Sequence, residues 1–98
     1  MKRLVVICLF IWGCGPSPRE YTVEIAQMQF TPASITVHKG DKIRFVNHDM
    51  VTHDITEAGK AWSSAPLPAD ASWEMTATQS ADYYCTIHPV MKGKIVVE

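Results

Sequence analysis

The sequence has no surplus of positive charge. Nine lysines and arginines stand against ten aspartates and glutamates, which gives a formal net charge of −1. Proteins that bind nucleic acid present basic patches or stripes. No polybasic run occurs here, so nucleic-acid binding has little support. Internal repeats and low-complexity segments are also missing. With 98 residues, 47% of them hydrophobic, the chain is expected to form one domain around one small core.

A long apolar run is lacking as well. The longest, Leu4–Trp12, has nine residues and is too short to span a bilayer as a helix. It follows two basic residues and precedes Gly13-Cys14, a pattern typical of an export signal. Residues 11–14 resemble a bacterial lipobox, in which the cysteine becomes the lipidated first residue of the mature protein. Trp12 is bulkier than the small residue usual there, so cleavage without lipid is the alternative.

These features predict three segments: a signal peptide over 1–13, a tether over 14–20 and a folded domain over 21–98. The tether contains two prolines and shows no apolar periodicity. Loss of the two basic residues in the signal would leave seven basic and ten acidic residues, a net charge of −3. The mature protein is therefore expected in the periplasm or cell envelope. A lipid on Cys14 would hold it near a membrane without spanning it.

The cysteine count is low, and the export signal lowers it further. Cys8 would leave with the signal, and Cys14 would be blocked by lipid. Cys85 alone remains. An odd cysteine in an oxidising compartment is either a reactive thiol or a ligand. A Cys14–Cys85 disulfide is disfavoured because Cys14 lies on the tether.

Evidence for helices is thin, whereas short stretches that favour strands recur. Alternating and β-branched patterns predict about seven strands, with turn signals between them. The segments are 21–28, 34–38, 42–46, 53–56, 73–78, 83–85 and 93–98. Residues 57–72 contain a glycine and two prolines and are expected to be mainly loop, with room for a helical turn. This pattern predicts an all-β antiparallel sandwich or barrel, whose loops gather at its ends.

Three potential metal ligands follow the strand over 83–85 at regular spacing. Cys85, His88 and Met91 supply a thiol, an imidazole and a thioether, with two residues between neighbours. These are the ligand types of a blue-copper electron-transfer site, in which the methionine is a weak axial ligand. Pro89 fixes its own φ and biases His88 toward an extended backbone, so the loop is restricted before any metal binds.

Such a site needs a second histidine from elsewhere in the chain. His53 follows a hydrophobic strand and begins the short predicted strand that continues through 54–56, so it is the predicted fourth ligand. His48, five residues earlier, is the competing candidate and is expected to be solvent-exposed. Taken singly, His53 is more often a surface or hydrogen-bonded histidine, and Met91 is more often core filler. The combination of the four residues gives the signal its specificity.

The C-terminal ligand loop is similar to that of the cupredoxin family, the group of plastocyanin, pseudoazurin and amicyanin. Residues 85–94, Cys-Thr-Ile-His-Pro-Val-Met-Lys-Gly-Lys, resemble the amicyanin loop almost throughout, and the ligand spacing is most similar to amicyanin's. Residues 30–47 also resemble the first half of the family. The resemblance covers 21–98 and implies a Greek-key β-sandwich. It also implies one copper ion bound by His53, Cys85, His88 and Met91.

Asp54 departs from the family pattern, which most often has asparagine after the first histidine to join the two ligand loops. A carboxylate near a thiolate–copper centre would disfavour the reduced state, so Asp54 is expected to lower the reduction potential relative to asparagine. Around His88, the residues Ile87, Pro89 and Val90 would form a small apolar patch. Such a patch suits brief docking of a monomer with a redox partner: a dehydrogenase, a cytochrome or an oxidase.

Three functions are compatible with these residues. The first is a one-electron carrier, which is not an enzyme. The second is copper delivery or resistance, which the absence of a methionine-rich run disfavours. The third is an enzyme, either a thiol hydrolase built on Cys85 or a zinc site of Cys85, His53 and His88. In the zinc site Met91 would have no role. The colour of the copper-loaded protein separates these alternatives.

Overall fold

The computed structural model describes residues 17–98 as two four-stranded sheets packed into a sandwich. The strands are β1 Glu20–Ala26, β2 Gln29–Thr31, β3 Ser34–Val37, β4 Lys42–Asn47, β5 Thr56–Glu57, β6 Ser72–Thr76, β7 Ala81–Tyr84 and β8 Lys92–Val97. No helix forms within 17–98, so this range also holds no helix long and apolar enough to cross a membrane. The predicted signal peptide and residues 14–16 of the predicted tether lie outside the described residues.

The strand order confirms an all-β sandwich but corrects the expected strand directions. One sheet has the order β2-β1-β4-β6 and the other β3-β8-β7-β5. The pairs β1–β4 and β3–β8 are parallel, so the expectation of an antiparallel arrangement was wrong for these two pairs. The reason for the first is topological. The chain passes through β3 in the second sheet before β4 returns beside β1, which lets both strands run in the same direction.

Two local predictions also change. Residues 53–56 do not form one strand, because His53 makes only an isolated bridge with Leu67 and β5 begins at Thr56. Between them, the backbone N–H groups of Asp54 and Ile55 donate to side-chain atoms, Cys85 Sγ and Ser64 Oγ, rather than to a neighbouring strand. The three-residue strand β2 was not predicted, because it is too short to show alternation and Pro32 follows it directly. The expected loop over 57–72 contains no helical turn.

The core lies between the sheets, where alternate residues of β1 and β4 are buried. Phe45 and Tyr83 meet edge to face with ring centroids 5.4 Å apart, and Tyr83 meets Phe30 in the same way at 4.8 Å. Full burial of such side chains contributes about 1.5–3 kcal/mol each. Trp73 is half-buried because it lies on the edge strand β6.

Gly93 is required by the packing of Tyr83. The two residues face each other in the β7–β8 ladder, and a Cβ at position 93 would lie 2.2 Å from Cζ of the tyrosine ring. Burial of that ring raises the pKa of Tyr83, and its hydroxyl has no hydrogen-bond partner within residues 17–98. The next pair of the ladder, Tyr84 with Lys92, closes the loop that carries the predicted ligands. The core therefore fixes both ends of that loop.

Candidate metal centre

Asn47, the last residue of β4, turns the chain into the segment that carries His53. Its side chain is fully buried and donates hydrogen bonds of 2.9 Å to the carbonyl oxygens of Val51 and Leu67. Its Oδ1 accepts the backbone N–H of Asp49 at 2.9 Å. One amide side chain thus uses its donors and its acceptor to hold residues 47–54, named here the His53 segment, against residue 67.

The ring of His53 is fully buried and held in one orientation. The backbone pairs with Leu67 through two hydrogen bonds, of 3.1 and 2.8 Å. Nε2 of the ring lies 2.8 Å from Oδ2 of Asp49. If Asp49 accepts from Nε2–H, the tautomer leaves the Nδ1 lone pair free to bind a metal. Nδ1 points toward Cys85 and His88.

Asp49 links His53 to the turn between β1 and β2. Its two carboxylate oxygens accept the backbone N–H groups of Gln27 at 2.7 Å and Met28 at 3.0 Å. Both turn residues have positive φ, 53° and 60°, as a type I′ hairpin requires at both central positions. Burial raises the pKa of Asp49, but the hydrogen bonds from Met28, His53 and Gln27 together bring it below its ordinary value. The carboxylate therefore holds the hairpin turn and the histidine together.

Cys85 lies one residue beyond β7 and is fully buried. Its sulfur accepts the backbone N–H of Asp54 at 3.4 Å. Its own N–H donates to the carbonyl oxygen of Met91 at 3.1 Å, and the N–H of Met91 donates to that of His88 at 2.9 Å. These two backbone bonds close residues 85–91, named here the Cys85 loop. The side chain of Met91 is buried, with 2% of the residue exposed.

The potential ligand atoms of three predicted site residues converge on one point. Cys85 Sγ lies 3.7 Å from Nδ1 of His53 and 3.9 Å from Nδ1 of His88. The two Nδ1 atoms are 3.2 Å apart, and the three groups offer ligand atoms that all lie within 4.8 Å of one another. One sulfur and two imidazole nitrogens, with the buried thioether of Met91 on the same loop, are a donor set that fits copper.

Asp54 lies between the His53 segment and the Cys85 loop. The residue is buried, and its Oδ1 accepts the backbone N–H of Thr86 at 2.9 Å and the hydroxyl of Thr56 at 3.1 Å. Its Oδ2 accepts a short hydrogen bond from the Thr86 hydroxyl. The structure therefore puts a carboxylate at the junction where the family resemblance implied an asparagine.

The other two histidines within residues 17–98 lie away from this centre. His48, the competing candidate, is exposed, and its Nε2 lies 3.6 Å from Oε1 of Glu24. Exposed pairs of this kind contribute little to stability. His38 is also exposed, in the turn after β3. The position of His48 agrees with its predicted exposure. His53 is therefore the upstream histidine beside Cys85.

The exposed large apolar side chains of residues 17–98 all belong to the connections around this centre. They lie in the β1–β2 turn, the His53 segment and the Cys85 loop. They are Met28, Met50, Val51, Ile87 and Val90, named here the apolar rim. Val90 is 85% exposed and Met50 94%. Exposed Pro89 lies between half-buried His88 and Val90. An apolar surface concentrated at one end of a small domain indicates a contact site.

Reasoning from the sequence missed Asn47 and Asp49. The only local signal for Asp49 was its position four residues before His53. Two of its three hydrogen bonds come from residues more than twenty positions away. Asn47 was noted as the end of a strand, but its bond to Leu67 depends on how the 58–71 loop returns. These contacts could be found only once the fold was known.

Comparisons with known proteins agree with this geometry. Residues 19–98 match the family model described as copper binding proteins, plastocyanin/azurin family. The chain is 30% identical over 83 residues to amicyanin of Paracoccus denitrificans, a match that covers 78% of this chain and 63% of that protein. It is also 30% identical over 83 residues to amicyanin-alpha of Methylorubrum extorquens, with 78% and 70% covered.

Solved structures show the same likeness. A reduced Cu(I) form of an amicyanin mutant at pH 4 superposes with a TM-score of 0.76 at 28% identity. That match covers 85% of this chain and 86% of the amicyanin chain. A Cu(I) structure of another amicyanin mutant gives a TM-score of 0.75 at 28% identity, with 81% and 82% covered. The similarity therefore includes both the sandwich and the segments that carry the candidate ligands.

Proposed function

We propose that this chain, which belongs to the plastocyanin/azurin family of copper-binding proteins, carries single electrons in the bacterial cell envelope. One observation carries the proposal. Cys85 Sγ and the Nδ1 atoms of His53 and His88 face one another within a centre where the cysteine and His53 are fully buried. A set of donors held together by the fold before a metal binds suits a site that exchanges electrons with little rearrangement.

The proposed ligands of one copper ion are Nδ1 of His53, Sγ of Cys85, Nδ1 of His88 and the sulfur of Met91. Bound copper would supply the Cu(I)/Cu(II) couple. The protein residues fix the donors: Asp49 orients His53, the N–H of Asp54 supports the sulfur, and two backbone bonds hold the Cys85 loop. Half-buried His88, next to exposed Pro89, offers the electron a path to the surface.

Burial of the centre favours an electron carrier over an enzyme. A thiol hydrolase needs a sulfur that a substrate can reach, together with an oxyanion hole. Cys85 is fully buried, and its sulfur is surrounded by Asp54 N–H and two imidazoles. A catalytic zinc site needs an open position for water. In the proposed site the sulfur of Met91 would take the fourth ligand position, so no position would be left open for water.

The test of this function is a pair of spectra from the copper-loaded protein. We expect an intense visible band from thiolate-to-copper charge transfer and a narrow copper hyperfine splitting in electron paramagnetic resonance. Zinc-loaded protein is the matched control and should be colourless. A colourless Cu(II) protein would contradict the proposal.

The apolar rim is proposed as the docking surface for redox partners such as a dehydrogenase, a cytochrome or an oxidase. It is small and includes Ile87 and Val90, which flank the proposed exit at His88 in the chain, and this suits brief contacts between monomers. Electron self-exchange between two copies tests the surface without an identified partner. Val90→Asp should slow it by about tenfold or more because like charges would meet. Thr36→Asp, which adds the same charge at an exposed position of β3, should have little effect. Equal slowing would contradict the assignment.

Copper delivery remains the alternative function, and one experiment separates the two. A carrier should exchange electrons with a second copy much faster than it loses its metal. A delivery protein should instead transfer copper to a copper-free oxidase on mixing. Rapid metal transfer with slow self-exchange would favour delivery.

Export and lipid attachment are proposed from the sequence, with Cys14 as the lipidated residue. Cell fractionation and labelling with a radioactive fatty acid test this directly. Wild-type protein should be labelled and recovered with membranes, and Cys14→Ser should lose the label. An unlabelled wild-type protein in the soluble periplasmic fraction would support cleavage without lipid.

A further inference from the structure

We infer that Asp54 lowers the reduction potential of the site through its negative charge, while it keeps the positioning role, joining the two ligand-bearing segments, that asparagine has in the family. The inference rests on the proposed function, because a reduction potential requires bound copper. It assigns a separate role to a residue that is not a ligand. His53 precedes Asp54 in the chain, and the Cys85 loop contacts it from the other side.

The joining role follows from the hydrogen bonds of Asp54. Its side chain accepts the N–H and the hydroxyl of Thr86, the residue after Cys85. Its backbone N–H donates to Cys85 Sγ at 3.4 Å. The residue is 31 positions from the cysteine in sequence, yet it contacts both the sulfur and the residue that follows it. A shift of either segment would stretch these bonds.

The charge effect follows from what surrounds the carboxylate. Its partners are one backbone N–H and the hydroxyls of Thr56 and Thr86, all of them uncharged. Within residues 17–98, no lysine, arginine or histidine forms an ion pair with Asp54. A buried charge is screened less by salt than an exposed one. The negative charge therefore favours Cu(II), the more positive state, over Cu(I), which lowers the potential.

Asparagine can preserve the geometry while it removes the charge. Its Oδ1 can accept from the N–H of Thr86 and the hydroxyl of Thr56. Its Nδ2 can donate to the Thr86 hydroxyl, since a hydroxyl both donates and accepts. Asp54→Asn is thus a test of charge rather than of structure.

The first experiment measures the reduction potential of copper-loaded Asp54→Asn at neutral pH. We expect the visible band to remain and the potential to rise. The expected change is tenfold or more in the equilibrium constant for electron exchange, which is about 59 mV for one electron. Asp82→Asn makes the same chemical change at an exposed position of β7 and should shift the potential far less. An unchanged potential, or a shift equal to that of Asp82→Asn, would overturn the inference.

A second variant predicts a shift in the opposite direction. Thr86→Val keeps the shape of the side chain but removes the hydroxyl that donates to the carboxylate. The charge is then less compensated, so the potential should fall. In the Asp54→Asn background the same change should have a smaller effect, because no charge is left to compensate. A rise in potential on Thr86→Val alone would contradict the charge effect, and this test holds even if Asp54→Asn does not fold.

The joining role has its own measurement. Asp54→Ala removes the side-chain bonds to Thr86, so copper release to a strong chelator should be faster than from Asp54→Asn. Equal release rates for the two variants would show that the side chain does not join the segments. Failure of the proposed function would look different, because wild-type protein with Cu(II) would then lack the visible band in every experiment.

Discussion

The two segments that meet at the metal centre are held in different ways. The Cys85 loop is closed by its own backbone bonds, and it exposes Ile87, Pro89 and Val90. The His53 segment is held by contacts from distant parts of the chain: Leu67 behind the backbone and the β1–β2 turn behind Asp49. One segment supplies three proposed ligands through local geometry, whereas the other supplies a single ligand through tertiary contacts.

This difference separates two tasks. An electron carrier must hold its metal against release and must also bring it near a partner. His53 is fully buried and bound to a carboxylate, which suits the first task. His88 is half-buried among exposed apolar residues, which suits the second. The following changes test whether the two sides divide the work in this way.

The largest effect is expected from Cys85→Ser, which removes the only thiol of the Cys85 loop. The visible band should disappear completely, because a serine hydroxyl cannot supply thiolate-to-copper charge transfer. Absorption spectra of the copper-loaded variant check this. Cys14→Ser makes the same change in the predicted tether and should leave the band intact. A persisting band in Cys85→Ser would show that the loop does not provide the sulfur ligand.

Replacing each histidine by glycine and adding imidazole tests the difference in exposure. In His88→Gly the missing ring lies near the surface, so added imidazole should restore the visible band. In His53→Gly the space is fully enclosed, so restoration should need at least about tenfold more imidazole, since buried side chains are tightly packed. Titration of the band measures both. Equal rescue of the two variants would remove the proposed distinction between an inner and an outer histidine.

Asp49→Asn should weaken the support of His53 without changing the Cys85 loop. An amide cannot accept all three N–H groups that the two carboxylate oxygens of Asp49 accept, so either His53 or the hairpin turn loses a bond. Copper affinity should fall about 10- to 100-fold, as is typical when a group that orients a ligand is lost. Competition with a chelator gives the affinity. Asp82→Asn should bind copper as wild type does, and an equal loss there would point to a general charge effect.

The smallest effect concerns Asp41, which precedes β4 at the end opposite Asn47. Hydrogen bonds from the backbone N–H groups of Arg19 and His38 lower the pKa of Asp41 below its ordinary 3.8. The unfolded chain therefore binds this proton more tightly. The stabilisation is present above about pH 3.8 and is lost as the pH falls through the lower pKa of the folded state.

Asp41→Asn should accordingly flatten the acid end of the stability profile without changing the visible band. Urea unfolding of the copper-free protein at neutral pH and in steps below pH 3.8 measures this slope. A wild-type slope in the variant would contradict the role of Asp41. A changed visible band would mean that the two ends of β4 are coupled. The contrast between the His53 segment and the Cys85 loop would then be weaker.

The contrast between local geometry and contacts from distant residues also explains which features could be predicted from the sequence. Cys85, His88 and Met91 lie within seven residues, so their spacing alone indicated the chemistry. The strands of the core were visible because alternation is also local. The parallel pairs β1–β4 and β3–β8 were not, because strand direction depends on where the chain crosses between sheets.

The residues that hold His53 in place could not be predicted from the sequence for a related reason. Asn47 and Asp49 act through partners about twenty residues away. Asp54 was noticed as a departure from the family, but its link to Thr86 crosses 32 positions. Polar contacts at such separations follow from the register of the sheets, which no short pattern encodes.

The closure of the Cys85 loop has a consequence for how such proteins can diversify. The loop begins and ends at the Tyr84–Lys92 pair, and the Tyr83–Gly93 packing behind it anchors that ladder in the core. A segment of different length could be inserted between these two anchor points while Asn47, Asp49 and Leu67 keep their places. The Cys85 loop could therefore change in length or sequence, and with it the ligands that it carries, while the rest of the fold stays unchanged.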